Sequence, residues 1–102
     1  MIIILNGVCG VGKTTIASYI SKKLESCVYL SGDLIHSFIV NNKIESQQLK
    51  ITNDNIWLLS QNFKKNEFKY IIIDHVIESF DEFNKLKENL KKIDKEVLTF
   101  LL

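Results

Sequence analysis

Ile2-Ile3-Ile4-Leu5-Asn6-Gly7-Val8-Cys9-Gly10-Val11-Gly12-Lys13-Thr14-Thr15 decides the fold. Its opening is a continuous, mostly β-branched apolar run, which suits a strand buried on both faces, as in a parallel sheet. Asn6-Gly7 ends that run. From Lys13 the period changes: Ile16, Ala17, Ile20 and Leu24 recur at helical spacing, while Lys22, Lys23 and Glu25 decorate the other side. Between strand and helix, Gly7 to Thr14 satisfies Gly-x-x-x-x-Gly-Lys-Thr, in the context that gives this pattern its meaning. Glycines let successive backbone N–H groups turn toward an anion, and the helix N-terminus adds partial positive charge. Gly7, Val8, Cys9, Gly10, Val11, Gly12, Lys13, Thr14 and Thr15 are therefore expected to hold the phosphates of a nucleotide such as ATP. Lys13 would lie across the β- and γ-phosphates, and the Thr14 hydroxyl would meet Mg²⁺. A dinucleotide fingerprint needs a glycine where Thr15 stands. A guanine-reading Asn-Lys-x-Asp is also missing, because the nearest string, Asn42-Lys43-Ile44-Glu45, ends in the wrong acid and lies early, in a polar stretch.

Outward from this stretch, buried runs and helical stripes alternate. Cys27 to Leu30 reads as a second strand, broken by Ser31-Gly32-Asp33, with Leu34, Ile35, Phe38 and Ile39 predicting a helix of about two turns. Asn41 to Lys50 is polar and without period, and Ile56, Leu59 and Phe63 mark a further helix expected to start at Thr52 or Asn53 as N-cap. Tyr70 to Ile73 is a third buried strand, stopped by Asp74, and His75 reads as the start of the next helix rather than as a side chain pointing into a site. Ser79 with Glu82 forms a capping box opening a helix with the stripe Phe83, Leu86, Leu90 and Ile93, and Glu96 to Leu102 closes the chain as a fourth strand. Strands alternating with helices imply an α/β fold built on a parallel sheet.

In such sheets ligands bind beyond the carboxyl ends of the strands. Asp33 and Asp74 both fall there. Asp74, after Tyr70-Ile71-Ile72-Ile73, has the form of a Walker B acid that holds Mg²⁺ directly or through its water. His36, one helical turn from Asp33, is a candidate for the wall of an acceptor pocket. Trp57 reads as partial core rather than a stacking platform.

Composition sets the outer bounds. With 102 residues the chain is expected to form one domain over residues 1–102, and 46% apolar with 25% charged residues is ordinary globular usage. A formal charge of +1 gives no field that points to nucleic acid or to an anionic membrane, and no run is long and apolar enough for a span. Two cysteines are too few for a disulfide framework, so a reduced, cytoplasmic setting is expected. All 13 basic residues are lysine. A bidentate guanidinium clamp on phosphate therefore cannot come from these residues.

Gly7 to Thr15, the Ser31-Gly32-Asp33-Leu34-Ile35-His36 stretch and Ile71-Ile72-Ile73-Asp74 together resemble the small-molecule P-loop kinases, whose members include shikimate kinase, gluconate kinase, chloramphenicol phosphotransferase and the nucleoside monophosphate kinases. The resemblance implies a three-layer P-loop NTPase fold with strand order 2-3-1-4, cut short before the lid and fifth strand. It implies transfer of the ATP γ-phosphate to a hydroxyl of a small molecule, a transferase reaction. Lys13 and Asp33 would be the catalytic residues, Thr14 and Asp74 the Mg²⁺ residues, and Asp33 and His36 the substrate contacts. The alternative is a nucleotide-binding module without catalysis, or an inactive fragment. The apolar final strand, without a polar end, is expected to favour self-association.

Overall fold

A computed structural model describes residues 1–8, 12–41, 45–77 and 79–102. The buried runs form strands β1 (Ile2–Asn6), β2 (Cys27–Ser31), β3 (Tyr70–His75) and β4 (Val97–Leu101), all parallel, in the order β2-β3-β1-β4. Between them lie α1 (Lys13–Lys23), α2 (Gly32–His36), a 3₁₀ turn at Glu45–Gln47, α3 (Gln48–Lys65) and α4 (Phe80–Lys91). The architecture is the three-layer α/β sandwich of the P-loop fold.

Strand periodicity divides the core into two layers. Ile2, Ile4, Leu30, Ile71 and Ile73 pack with Ile35 of α2, Ile56 of α3 and Leu86 and Leu90 of α4. Ile3, Leu5 and Ile72 pack on the other face against Ala17 of α1. The central strands β1 and β3 are therefore covered on both faces, which is why their sequences are apolar without alternation. The register sets Leu5 beside Asp74 and Ser31 beside Asp74, so the carboxyl ends of three strands meet at one edge. β4 is an edge strand whose Leu98 and Phe100, 43% and 49% exposed, align with Ile3 and Leu5 on the α1 side.

Three expectations are corrected. Helix α2 is a single short turn ending at His36, and Phe38 lies beyond it, 66% exposed, since no partner element buries a second turn. Helix α3 starts at Gln48 with Gln47 as N-cap, so Thr52 and Asn53 are interior positions; both are buried, and the Thr52 hydroxyl and Asn53 Oδ1 pair with histidines rather than with helix amides, while Asn53 Nδ2 is buried without a partner among the described residues. His75 does not open a helix but ends β3. Ser79 caps α4 as read, its hydroxyl accepting from the Glu82 amide at 3.3 Å.

Candidate functional site

The phosphate loop joins the end of β1 to the start of α1. Gly12 occupies the N-cap position with φ of 90°, the left-handed region that glycine enters without strain. No side chain caps α1. Among the described residues no side chain accepts from its first N–H groups, at the place where the motif requires donors to an anion. Lys13 is 5% exposed, and its ammonium donates to the Val8 carbonyl at 3.1 Å, folding the side chain back over the loop. Thr14 and Thr15 are exposed at the mouth. Cys9, Gly10 and Val11, expected to complete the cradle, lie outside the described residues.

Beside the loop stands Asp74, 1% exposed on the α1 side of β3. Tyr29 of β2 donates its hydroxyl to Asp74 Oδ2. Burial, reinforced by the hydrogen bond to Asp74 and its charge, pushes the Tyr29 phenol up to about 12, while the neighbouring Thr14 and Ser31 hydroxyls act the other way. Thr14, Tyr29, Ser31 and Asp74 thus form one cluster of oxygen groups. Among the described residues no three His, Cys, Asp or Glu side chains form a metal cage. A single buried carboxylate and a hydroxyl, facing a loop built for phosphates, is nevertheless the donor set that suits Mg²⁺, which takes one or two carboxylates and completes its shell with phosphate oxygens and water.

On the opposite face of β3 lies a cleft of about 320 Å³ lined by Asp33, His36, Gln48, Leu49, His75 and Val76. Asp33 and His36 are exposed along one wall. His36 Nδ1 lies 3.1 Å from the Thr52 hydroxyl, and His75 Nε2 lies 2.9 Å from Asn53 Oδ1. Burial lowers the His75 pKa to about 4 against the raising influence of Asp33 and Asp74, so its ring is neutral at physiological pH. Its Nδ1 packs against Gly32, where a Cβ would stand 2.1 Å away.

The structure therefore sets Lys13 and Thr14 at the start of α1 and Asp74 near the carboxyl end of β3, the strand beside β1, and sets Asp33 and His36 in the adjoining cleft. Four further residues shape this region without having stood out in the sequence. Tyr29 read only as strand, and Thr52 and Asn53 read as a cap. Asn6 pairs reciprocally with the backbone of Ile77, accepting from its N–H at 3.0 Å and donating to its C=O at 3.2 Å. This ties the segment after β3 to the start of the phosphate loop.

A family model described as an AAA domain matches residues 3–98. The chain belongs to the AAA domain family. This match and the fold fit the small-molecule P-loop kinases that the motifs resemble. Among solved structures, a chain in the structure of a Pnkp1/Rnl/Hen1 complex aligns with a TM-score of 0.69 at 18% identity, covering 98% of this chain and 34% of that one. The tunicamycin resistance protein of Deinococcus radiodurans aligns with a TM-score of 0.66 at 20% identity, covering 98% of this chain and 60% of its own. At such identities the likeness is one of fold. None of the curated proteins matches the sequence. Among the described residues, no helix is long and apolar enough to cross a membrane.

Proposed function

We propose that the chain binds ATP with Mg²⁺ at the loop following β1 and that the family role it serves is transfer of the γ-phosphoryl group to a hydroxyl of a small molecule held in the Asp33 cleft. The observation that carries this reading is the sheet order β2-β3-β1-β4. It sets the carboxyl end of β3, with Asp74 on one face and His75 on the other, between the phosphate loop and the cleft.

Each residue has a task that its position supports. Lys13 would exchange the Val8 carbonyl for phosphate oxygens, a charge-assisted contact stronger than the one it leaves. The uncapped amides of α1 would bind the same phosphates. Thr14 and Asp74 would hold Mg²⁺, which when bound supplies neutralising charge to the β- and γ-phosphates. Asp33, exposed on the cleft wall, would orient the acceptor hydroxyl and take its proton, with His36 beside it. A nucleotide-binding role without catalysis is favoured by one fact, the lack of any arginine among the 102 residues.

Calorimetric titration of ATP with Mg²⁺ tests the binding step. Lys13→Ala is expected to lose about tenfold or more in affinity, the equivalent of about 1.5 to 3 kcal/mol for a charged hydrogen bond; equal affinity of the two proteins would remove the assignment. Asp33→Asn is expected to bind ATP normally and to lose phosphoryl transfer, which separates the kinase reading from the binding-module reading.

A further inference from the structure

Tyr29 has no part in the phosphate-loop pattern, yet it stands at the centre of the cluster assigned to the cation. It is on the α1 side of β2, paired with Ile72, and its side chain runs along the strand to reach the next acidic position, Asp74. Asp74 is 1% exposed. Its carboxylate has thus exchanged water for protein groups. Among the described residues no ammonium group forms an ion pair with it, and the Tyr29 hydroxyl donates to its Oδ2. A carboxylate taken out of water and left without a donor or cation is strongly disfavoured. The same phenol is also close enough to Thr14, the second residue assigned to the cation, for the Thr14 hydroxyl to influence it.

We propose that Tyr29 is a placeholder for the cation: its hydroxyl holds the Asp74 carboxylate while no metal is present and releases it when Mg²⁺ arrives with the nucleotide. This rests on the assignment of Thr14 and Asp74 to Mg²⁺ made above. A phenol O–H and a divalent cation seek the same lone pairs of one buried carboxylate, so each weakens the hold of the other. Metal alone must displace the phenol and gains no phosphate oxygens in return. Metal bound to a nucleotide brings those oxygens with it, so the two ligands enter together. Tyr29 is in this sense a positioning residue that acts through Asp74.

Removal of the hydroxyl in Tyr29→Phe leaves the ring in the core and the carboxylate uncompensated, a state that a cation relieves. Thermal unfolding of the full chain is followed as MgCl₂ is added, without nucleotide, at one fixed pH. Tyr29→Phe is expected to unfold at a lower temperature than wild type without metal, and to recover at MgCl₂ concentrations about tenfold lower than those that affect wild type, the factor set by one charge-assisted hydrogen bond. Tyr29→Phe combined with Asp74→Asn is expected to show no such recovery. A Tyr29→Phe protein whose response to MgCl₂ is equal to or weaker than that of wild type overturns the inference.

A measurement on the wild-type chain covers the case in which the variant does not fold. With ¹³C-labelled tyrosine, the Tyr29 ring resonance, assigned with Tyr19→Phe and Tyr70→Phe, is expected to move on addition of MgCl₂ with ADP and to stay in place with ADP and EDTA. Identical Tyr29 spectra in the two conditions overturn the placeholder role. A wild-type chain that binds no ADP under either condition defeats the nucleotide reading instead, and the MgCl₂-only unfolding experiment still decides the role of Tyr29.

Discussion

Replacing Gly32 with alanine sets two physical effects against each other, and the structure decides which wins. Gly32 is the first residue of α2 and has an ordinary helical conformation, so on propensity alone alanine would stabilise it, by up to about 1 kcal/mol. The space denies that gain. A Cβ at this position would stand 2.1 Å from His75 Nδ1, 2.6 Å from His75 Cγ and 2.9 Å from the Asp74 carbonyl oxygen. Neither neighbour yields freely. The His75 ring is 5% exposed and held by Asn53, and the Asp74 backbone is locked between β1 and β2 at its pairings with Leu5 and Ser31. Overpacking a filled site costs about 1 to 3 kcal/mol, and loss of the His75–Asn53 hydrogen bond adds about 1 kcal/mol. The net expectation is a loss of about 2 kcal/mol, or a fall of about 10 °C in Tm for a domain of this size. Trp57, which packs against the core from α3, gives a fluorescence probe of unfolding. The double variant Gly32→Ala, His75→Ala removes the ring but not the Asp74 carbonyl. It should therefore show a coupling of about 1 to 2 kcal/mol, with the second substitution costing less in the presence of the first. A Gly32→Ala protein as stable as wild type, or strictly additive costs, would refute the reasoning.

Three further outcomes follow from other parts of the fold. Asp94 accepts from the Met1 ammonium at 2.7 Å and from Lys64 at 2.8 Å; these contacts and the Glu96 amide outweigh burial and hold its carboxyl at about 2, below the ordinary 3.8. A depressed carboxylate contributes stability that is present above the unfolded value and lost as pH falls from about 4 to about 2, so urea midpoints should fall more steeply over that window in wild type than in Asp94→Asn. The β4 edge exposes Leu98 and Phe100 on the sheet face opposite α4, and sedimentation should show concentration-dependent self-association that Phe100→Lys reduces; association unchanged in the variant would place the contact elsewhere. An arginine supplied to a phosphoryl-transfer site is worth about 10³ to 10⁵ in rate, so these 102 residues by themselves should consume ATP far more slowly than about one per second against a panel of hydroxylated metabolites, nucleosides and antibiotics; turnover at that rate would show that lysine alone suffices.

The sequence by itself determined the parallel sheet, because strands buried on both faces must be apolar without alternation and Ile2–Leu5 and Tyr70–Ile73 are. It also determined the phosphate loop, whose chemistry is local: a glycine turn, a lysine and a hydroxyl within eight residues need no distant partner to be recognised. Where α2 and α3 begin and end was not legible, since Phe38 has the hydrophobicity of a core residue but no element covers it, and Thr52 and Asn53 have the chemistry of caps but spend it on His36 and His75. Only the tertiary structure decided what surrounds Asp74 and His75. Adjacent residues of one strand point to opposite faces, so a single step along the chain separates an acid bonded to Tyr29 beside the loop from a neutral histidine bonded to Asn53 in the cleft. Tyr29 is 45 residues from Asp74 along the chain, and Asn53 is 22 from His75. Such pairings exist only once the sheet order has set β2 and α3 on either side of β3, and no local pattern in the sequence records them.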